Sequence, residues 1–66
     1  MRDQVLWRKT ARIIEMIRDR LDISAEKAMD LFYRSSTFEL LNNPDSGLQL
    51  LSDQYIFEDF CREMQA

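Results

Sequence analysis

Residues 38–60, FELLNNPDSGLQLLSDQYIFEDF, contain the only proline (Pro44) and the only glycine (Gly47) of a 66-residue chain. The order Asn-Pro-Asp-Ser-Gly predicts a tight turn, because the residue before a proline avoids helical backbone and glycine suits the end of a turn. Apolar residues stand on both sides of this turn. The stretch therefore predicts a corner at which a helical chain folds back on itself.

The sequence before the corner predicts two main helices and a short one. RDQVLWRKTARIIEMIRDRLD, residues 2–22, repeats apolar residues at helical spacing and so predicts one long amphipathic helix. Ser24 is suited to cap a second helix, AEKAMDLFYRSS, at residues 25–36. A third, short helical turn is expected in residues 35–43, with Ser36 or Thr37 as its cap.

The sequence after the corner predicts one more main helix. LQLL, residues 48–51, is interpreted as a short helical segment, because a lone strand would have no partner to pair with. Ser52 is suited to cap the last helix, DQYIFEDFCREMQ, whose inward side is expected to hold Phe57, Phe60, Cys61 and Met64. We expect one all-α domain over residues 1–66, a compact bundle of three main helices plus one or two short helical segments. Its expected core residues are Leu6, Ile13, Ile17, Phe32, Phe57 and Phe60.

Composition excludes most kinds of catalytic and metal site. The chain has one cysteine, Cys61, and no histidine, so it lacks an intrachain disulfide, the usual zinc ligands and the commonest general base. One glycine is too few for a phosphate-binding loop. Asp59 and Glu63 share a helix face, but calcium requires more oxygen ligands than two carboxylates supply, and a solvated acidic face is expected. We therefore expect no enzyme activity, no metal and no cofactor.

The charge is divided unevenly along the chain. Residues 1–22 hold six Lys and Arg against four Asp and Glu, a net +2, whereas residues 23–66 hold three against eight, a net −5. Arg8, Lys9 and Arg12 could contact the phosphates of nucleic acid, but acidic residues interrupt this face within two turns. Without a signal peptide or a long apolar run, we expect a cytoplasmic protein that does not enter a membrane.

A partner-binding surface is predicted from aromatic residues at the edges of the apolar stripes. Trp7, Tyr33 and Tyr55 each fall beside or opposite the stripe of their helix. Tyrosine and tryptophan are enriched at protein interfaces, because they bury a large area at a low cost in rotamer entropy. The predicted surface consists of five residues: Tyr33, Tyr55, Ile56, Glu58 and Asp59.

Two motifs resemble a family of small, helical bacterial proteins of unknown function. The first is the Leu-x-Ile-Ser step at residues 21–24, and the second is the Tyr-Ile-x-Glu-Asp segment at residues 55–59. Some members of that family are encoded beside toxin-like enzymes, including ADP-ribosyltransferase-like proteins. The resemblance implies an antitoxin or an accessory subunit, although this chain lacks the DNA-binding segment or disordered tail that antitoxins usually carry.

The function expected from the sequence is that of a non-catalytic protein-interaction module whose partner is an enzyme or toxin. Two alternatives remain open. One is a small DNA-binding transcriptional regulator that uses its N-terminal basic residues, and the other is a self-associating structural unit. Salt-dependent binding to duplex DNA would identify the regulator, and sedimentation across concentration would identify the self-associating unit.

Overall fold

The protein folds into four α-helices joined by short connections. The computed structural model describes the backbone of residues 2–65 and the side chains of residues 4–65. The α-helices are α1 (Arg2–Leu21), α2 (Ala25–Tyr33), α3 (Ser36–Leu41) and α4 (Asp53–Gln65). Two 3₁₀ segments, Pro44–Ser46 and Leu48–Leu50, connect α3 to α4. No strand is present in residues 2–65, and the all-α prediction is confirmed.

Serine side chains set the starts of three helices. The Oγ atoms of Ser24 and Ser52 accept the backbone N–H groups of Lys27 and Tyr55, each at 3.1 Å, as the sequence predicted. The predicted boundary between α2 and α3 is wrong by three residues. The second helix ends at Tyr33, because Ser35 has extended backbone and its Oγ caps α3 by accepting the N–H group three residues later.

The core lies where α1 meets α2 and α4. Ten apolar side chains are buried there: Ile13, Ile14, Ile17, Ala28, Phe32, Leu41, Leu48, Ile56, Phe57 and Phe60. The rings of Phe32 and Phe60 meet edge to face with their centroids 5.7 Å apart, a favourable aromatic geometry. Five of the six expected core residues are fully buried or nearly so, and Leu6 packs against the core while partly exposed.

The inward side of α4 differs from the predicted stripe. Ile56, Phe57 and Phe60 are its buried residues, whereas Cys61 is half-buried and Met64 is exposed. The helix contacts both α1 and α3, so its buried face is centred between these two neighbours. The buried face of α4 is thus rotated from the predicted one, with Ile56 in the core and Met64 towards solvent. The predicted positions of these two residues are wrong.

The corner forms where the sequence predicted it. Gly47 adopts left-handed backbone with φ of 72°, which favours glycine over residues that carry a Cβ atom. The Ser46 hydroxyl lies 2.5 Å from the carbonyl oxygen of Leu40 and 2.8 Å from that of Asn43, and it accepts the Leu48 N–H group at 3.1 Å. One serine therefore joins the end of α3 to both 3₁₀ segments.

Candidate partner-binding groove

Two adjoining pockets separate the first half of α1 from α3 and the 3₁₀ segments. The first has a volume of about 320 Å³ and the second about 540 Å³, within the range of known ligand sites. Leu6 and Asn42 line both pockets, so the two form one continuous depression. We call this depression the α1–α3 groove. Its full lining consists of Val5, Leu6, Trp7, Lys9, Thr10, Tyr33, Phe38, Leu41, Asn42, Pro44, Gln49 and Leu50.

Three aromatic rings surround the first pocket. Trp7 belongs to α1, Tyr33 to the end of α2 and Phe38 to α3. The Tyr33 and Phe38 rings are in contact, with centroids 4.8 Å apart, and Phe38 also packs against the core ring of Phe32 at 5.3 Å. Trp7 remains 63% exposed. Tyr33 and Phe38 thus form a wall that is held by contact with the core. Trp7 lines the same pocket and has most of its surface in solvent.

Exposed aliphatic residues border the second pocket. Val5 is 69% exposed and Leu50 is 83% exposed, the two highest values among the large apolar side chains of residues 4–65. Gln49 contributes polar atoms to the lining of this pocket. Its Nε2 donates to the Pro44 carbonyl at 3.3 Å, whereas its buried Oε1 has no hydrogen-bond partner within the described part of the chain. A buried acceptor without a donor costs about 1–3 kcal/mol.

Two of the N-terminal basic residues bind the start of α4. Lys9 Nζ lies 2.8 Å from Asp53 Oδ1, and Arg12 Nε lies 2.6 Å from Asp53 Oδ2. The Arg12 hydrogen bond lowers the pKa of Asp53 despite the opposing effect of partial burial, and Lys9 adds to the decrease. The same contact raises the pKa of Arg12. Lys9 is itself largely buried. Its contact and that of Arg12 with Asp53 join α1 to α4.

The carboxylates of Glu63 and Asp59 bind protein groups on α3. Glu63 accepts the N–H groups of Ser36 at 2.7 Å and Thr37 at 3.0 Å, together with the Thr37 hydroxyl at 2.9 Å. Burial acts to raise the pKa of Glu63, but these hydrogen bonds outweigh it and hold the pKa below its usual range. Asp59 accepts from the Thr37 hydroxyl at 3.4 Å and pairs with Arg62 at 3.2 Å. The solvated acidic face expected here is instead a helix cap.

The structure distributes the five predicted partner residues over four environments. Tyr33 lines the α1–α3 groove. Tyr55 and Glu58 lie on the exposed face of α4, while Asp59 is half-buried between α4 and α3. Ile56 is 0% exposed, so its assignment to a partner surface is wrong: the phase of α4 places it in the core. The five residues therefore do not form one surface.

Several groove residues were absent from the predicted surface. Trp7 had a signal in the sequence, since it lies directly beside the apolar stripe of α1. Phe38 is half-buried in the short third helix and lines the groove. Leu50 had no signal, because the exposure of an apolar residue in a short 3₁₀ segment depends on how that segment packs.

Two further properties concern metals and membranes. Within the described side chains, no three Cys, Asp or Glu residues lie close enough together to hold a metal ion. None of the helices in residues 2–65 combines the length and the apolar character needed to cross a bilayer.

Comparison of the chain with protein-family models, curated proteins and solved structures finds no match. The family resemblance of the motifs at residues 21–24 and 55–59 therefore stays a prediction.

Proposed function

We propose that the protein is a non-catalytic interaction module that binds another protein through the α1–α3 groove. The resemblance of its two motifs suggests the more specific role of an antitoxin or accessory subunit of a partner enzyme. A cytoplasmic location is part of the proposal, and it suits a chain whose only cysteine has no second cysteine to pair with.

The observation that carries the proposal is the concentration of exposed apolar surface along one groove. Trp7, Val5 and Leu50 are the three most exposed large apolar side chains in residues 4–65, and all three line it. Contiguous apolar surface of this kind marks interaction sites on small proteins. Tryptophan and tyrosine are enriched among interface anchors, and Trp7 lines the same pocket as Tyr33 and Phe38.

The DNA-binding alternative has less support. Of its three basic residues, Lys9 and Arg12 are engaged by Asp53, and Arg8 alone has no ion pair among the described side chains. Duplex binding depends on several cations that are free to contact phosphates. We expect no measurable affinity for duplex DNA at physiological salt.

Site-specific photocrosslinking in the native host tests the proposal. A photoreactive amino acid is placed at Trp7, and in a control protein at the exposed Asp19 on the far side of α1. We expect one protein to be crosslinked from position 7 and not from position 19. Crosslinks that are equal at both positions, or that reach only nucleic acid, would contradict the proposal. Crosslinks only between copies of this chain would favour the self-associating unit instead.

A further inference from the structure

We propose that the ligand of the α1–α3 groove is an amphipathic α-helix of the partner, with Lys or Arg along the flank that faces α3. This inference rests on the proposed function and specifies the chemistry of the partner. Its three grounds are the shape of the groove, the charge of one wall and an unsatisfied acceptor in the second pocket.

The shape of the groove favours a helix over a strand. A strand ligand pairs with the exposed edge of a sheet, and residues 2–65 contain no sheet. Two pockets that share Leu6 and Asn42 instead offer separate places for two of the bulky side chains that a helix presents three or four residues apart. The apolar lining matches the apolar face of such a helix.

The charge of the α3 wall selects the flank of that helix. Residues 35–61 contain no Lys or Arg. Glu39 and Asp45 are exposed, have no ion pair within the described part of the chain, and follow the groove residues Phe38 and Pro44 in sequence. On α3, Glu39 follows Phe38 by one residue, so its side chain points about 100° further round the helix and lies to one side of the groove lining. A helix with basic residues on this side would meet two free carboxylates.

On the α1 wall, one cationic side chain among those described lines the groove, and it is already paired. This side chain is Lys9, and Asp53 neutralises it at 2.8 Å. Arg8 is exposed and lies about half a turn of helix away from Leu6, although it directly follows the groove residue Trp7. The acidic charge therefore lies on the α3 side of the groove, whereas residues 1–22 carry a net charge of +2.

Gln49 supplies the third ground. Gln49 lines the second pocket, and its buried Oε1 has no donor among the described residues. A Lys or Arg side chain brings several N–H donors and no acceptor, so it would satisfy this oxygen once the amide rotates. An acidic flank would offer no donor.

Stapled helical peptides test this inference with Trp7 as the reporter. The peptides contain no tryptophan and share leucines at positions i, i+3 and i+7. One has lysines along the flanks, another glutamates, and a third is a proline-rich, extended peptide with the same number of lysines. Trp7 is the only tryptophan of the chain, so a blue shift of its emission reports a ligand in the groove.

We expect the lysine helix to bind at least about tenfold more tightly than the glutamate helix at low salt, with the ratio shrinking towards one at high salt. Leu50→Asp should weaken binding about tenfold or more, as the loss of an interface anchor does, whereas the control Met29→Asp on α2 should not. Both replaced side chains are exposed, so neither change disturbs the core.

Charge-reversal variants distinguish the effect of the α3 wall on peptide preference from the effect of the protein's net charge. The double variant Glu39→Lys with Asp45→Lys should reverse the preference in favour of the glutamate helix. The control, Glu15→Lys with Glu26→Lys, changes the net charge equally but away from the groove, and it should retain the preference for lysine.

Three results would overturn the inference. They are equal affinity for the two helices, stronger binding of the proline-rich peptide, and a concentration-dependent shift of Trp7 emission with a dimeric mass in sedimentation. If position 7 crosslinks a natural partner while the peptides show one of the first two results, the inference fails and the proposed function stands. If position 7 captures no partner protein, the proposed function fails whatever the peptides do.

Discussion

The Glu63 carboxylate, on the last turn of α4, caps a helix that begins 27 residues earlier, by accepting the N–H groups of Ser36 and Thr37 and the Thr37 hydroxyl. Helix caps usually come from a residue next to the helix start, as Ser24 does for α2. Here a second, distant cap fixes α3 against α4. The short α3 helix thus depends on a tertiary contact for its position, and α3 forms one wall of the groove.

Replacing this distant cap should destabilise the fold. We expect Glu63→Ala to lower the free energy of unfolding by about 1–2 kcal/mol, since it leaves the Ser36 and Thr37 N–H groups without their acceptor. Urea denaturation measures the change. Glu58→Ala on the exposed face of the same helix is the control and should stay within about 0.5 kcal/mol. Equal effects of the two changes would mean that the cap contributes little.

Acid should weaken the contacts of both carboxylates whose pKa values lie below the usual range, Asp53 and Glu63. Their contribution to stability is fully present above the unfolded pKa of about 4 and is lost as the pH falls through the lower, folded values. We therefore expect Asp53→Asn with Glu63→Gln to flatten the acid limb of stability against pH. Glu15→Gln with Glu26→Gln should not. An unchanged acid limb in the first variant would contradict this assignment.

The ion pair between α1 and α4 should matter more than one on the surface. Asp53→Asn removes the counter-ion of Lys9, whose side chain is only 12% exposed, so we expect a loss of about 1–3 kcal/mol. Asp30→Asn removes the partner of the exposed Arg34 and should cost less than about 0.5 kcal/mol. Thermal and urea unfolding of the two variants compare the pairs, and a smaller effect at Asp53 would show that Lys9 finds another partner.

The corner should depend on Ser46 and not on its neighbour. Ser46→Ala removes the hydroxyl that joins the end of α3 to both 3₁₀ segments, and we expect a cost of about 1–2 kcal/mol. Asp45→Ala changes an exposed side chain and should be nearly neutral. Denaturant midpoints measure both. Two neutral substitutions would indicate that the backbone, with Gly47, holds the turn alone.

Neighbouring residues on α4 should respond in opposite ways. Ile56→Ala creates a cavity in the core, with an expected cost of about 2–5 kcal/mol and a loss of cooperative unfolding. Tyr55→Ala removes a half-exposed ring and should leave helicity and melting close to those of the parent. Circular dichroism on the two variants measures this. The reverse order of effects would mean that α4 is rotated from the position described.

Local signals in the sequence were sufficient for most of the fold. Ser24 and Ser52 cap helices as expected, because a cap involves only residues within one turn. The corner at Pro44 and Gly47 was equally visible, since both residues restrict the backbone at their own positions. Helical spacing identified Ile13, Ile17 and Phe60 as core residues.

Contacts between distant residues were not predictable in the same way. Arg12 and Glu15 stand at the three-residue spacing that pairs side chains on one helix, yet Arg12 binds Asp53, 41 residues away. Ile56 was predicted on the surface of α4 but is buried, because the packing neighbours of a helix determine which of its faces is buried. The groove was missed for the same reason, since its lining comes from five separate elements.

The contacts of α4 also determine when a newly made chain can fold. Translation delivers α1 and α2 first, and these helices leave Ile13, Ile17 and Phe32 without the covering that Ile56 and Phe60 supply. The counter-ion of Lys9 and the second cap of α3 arrive with the same late segment. We expect the nascent protein to stay open and susceptible to proteases until residues 53–63 have left the ribosome, and to close its core only afterwards.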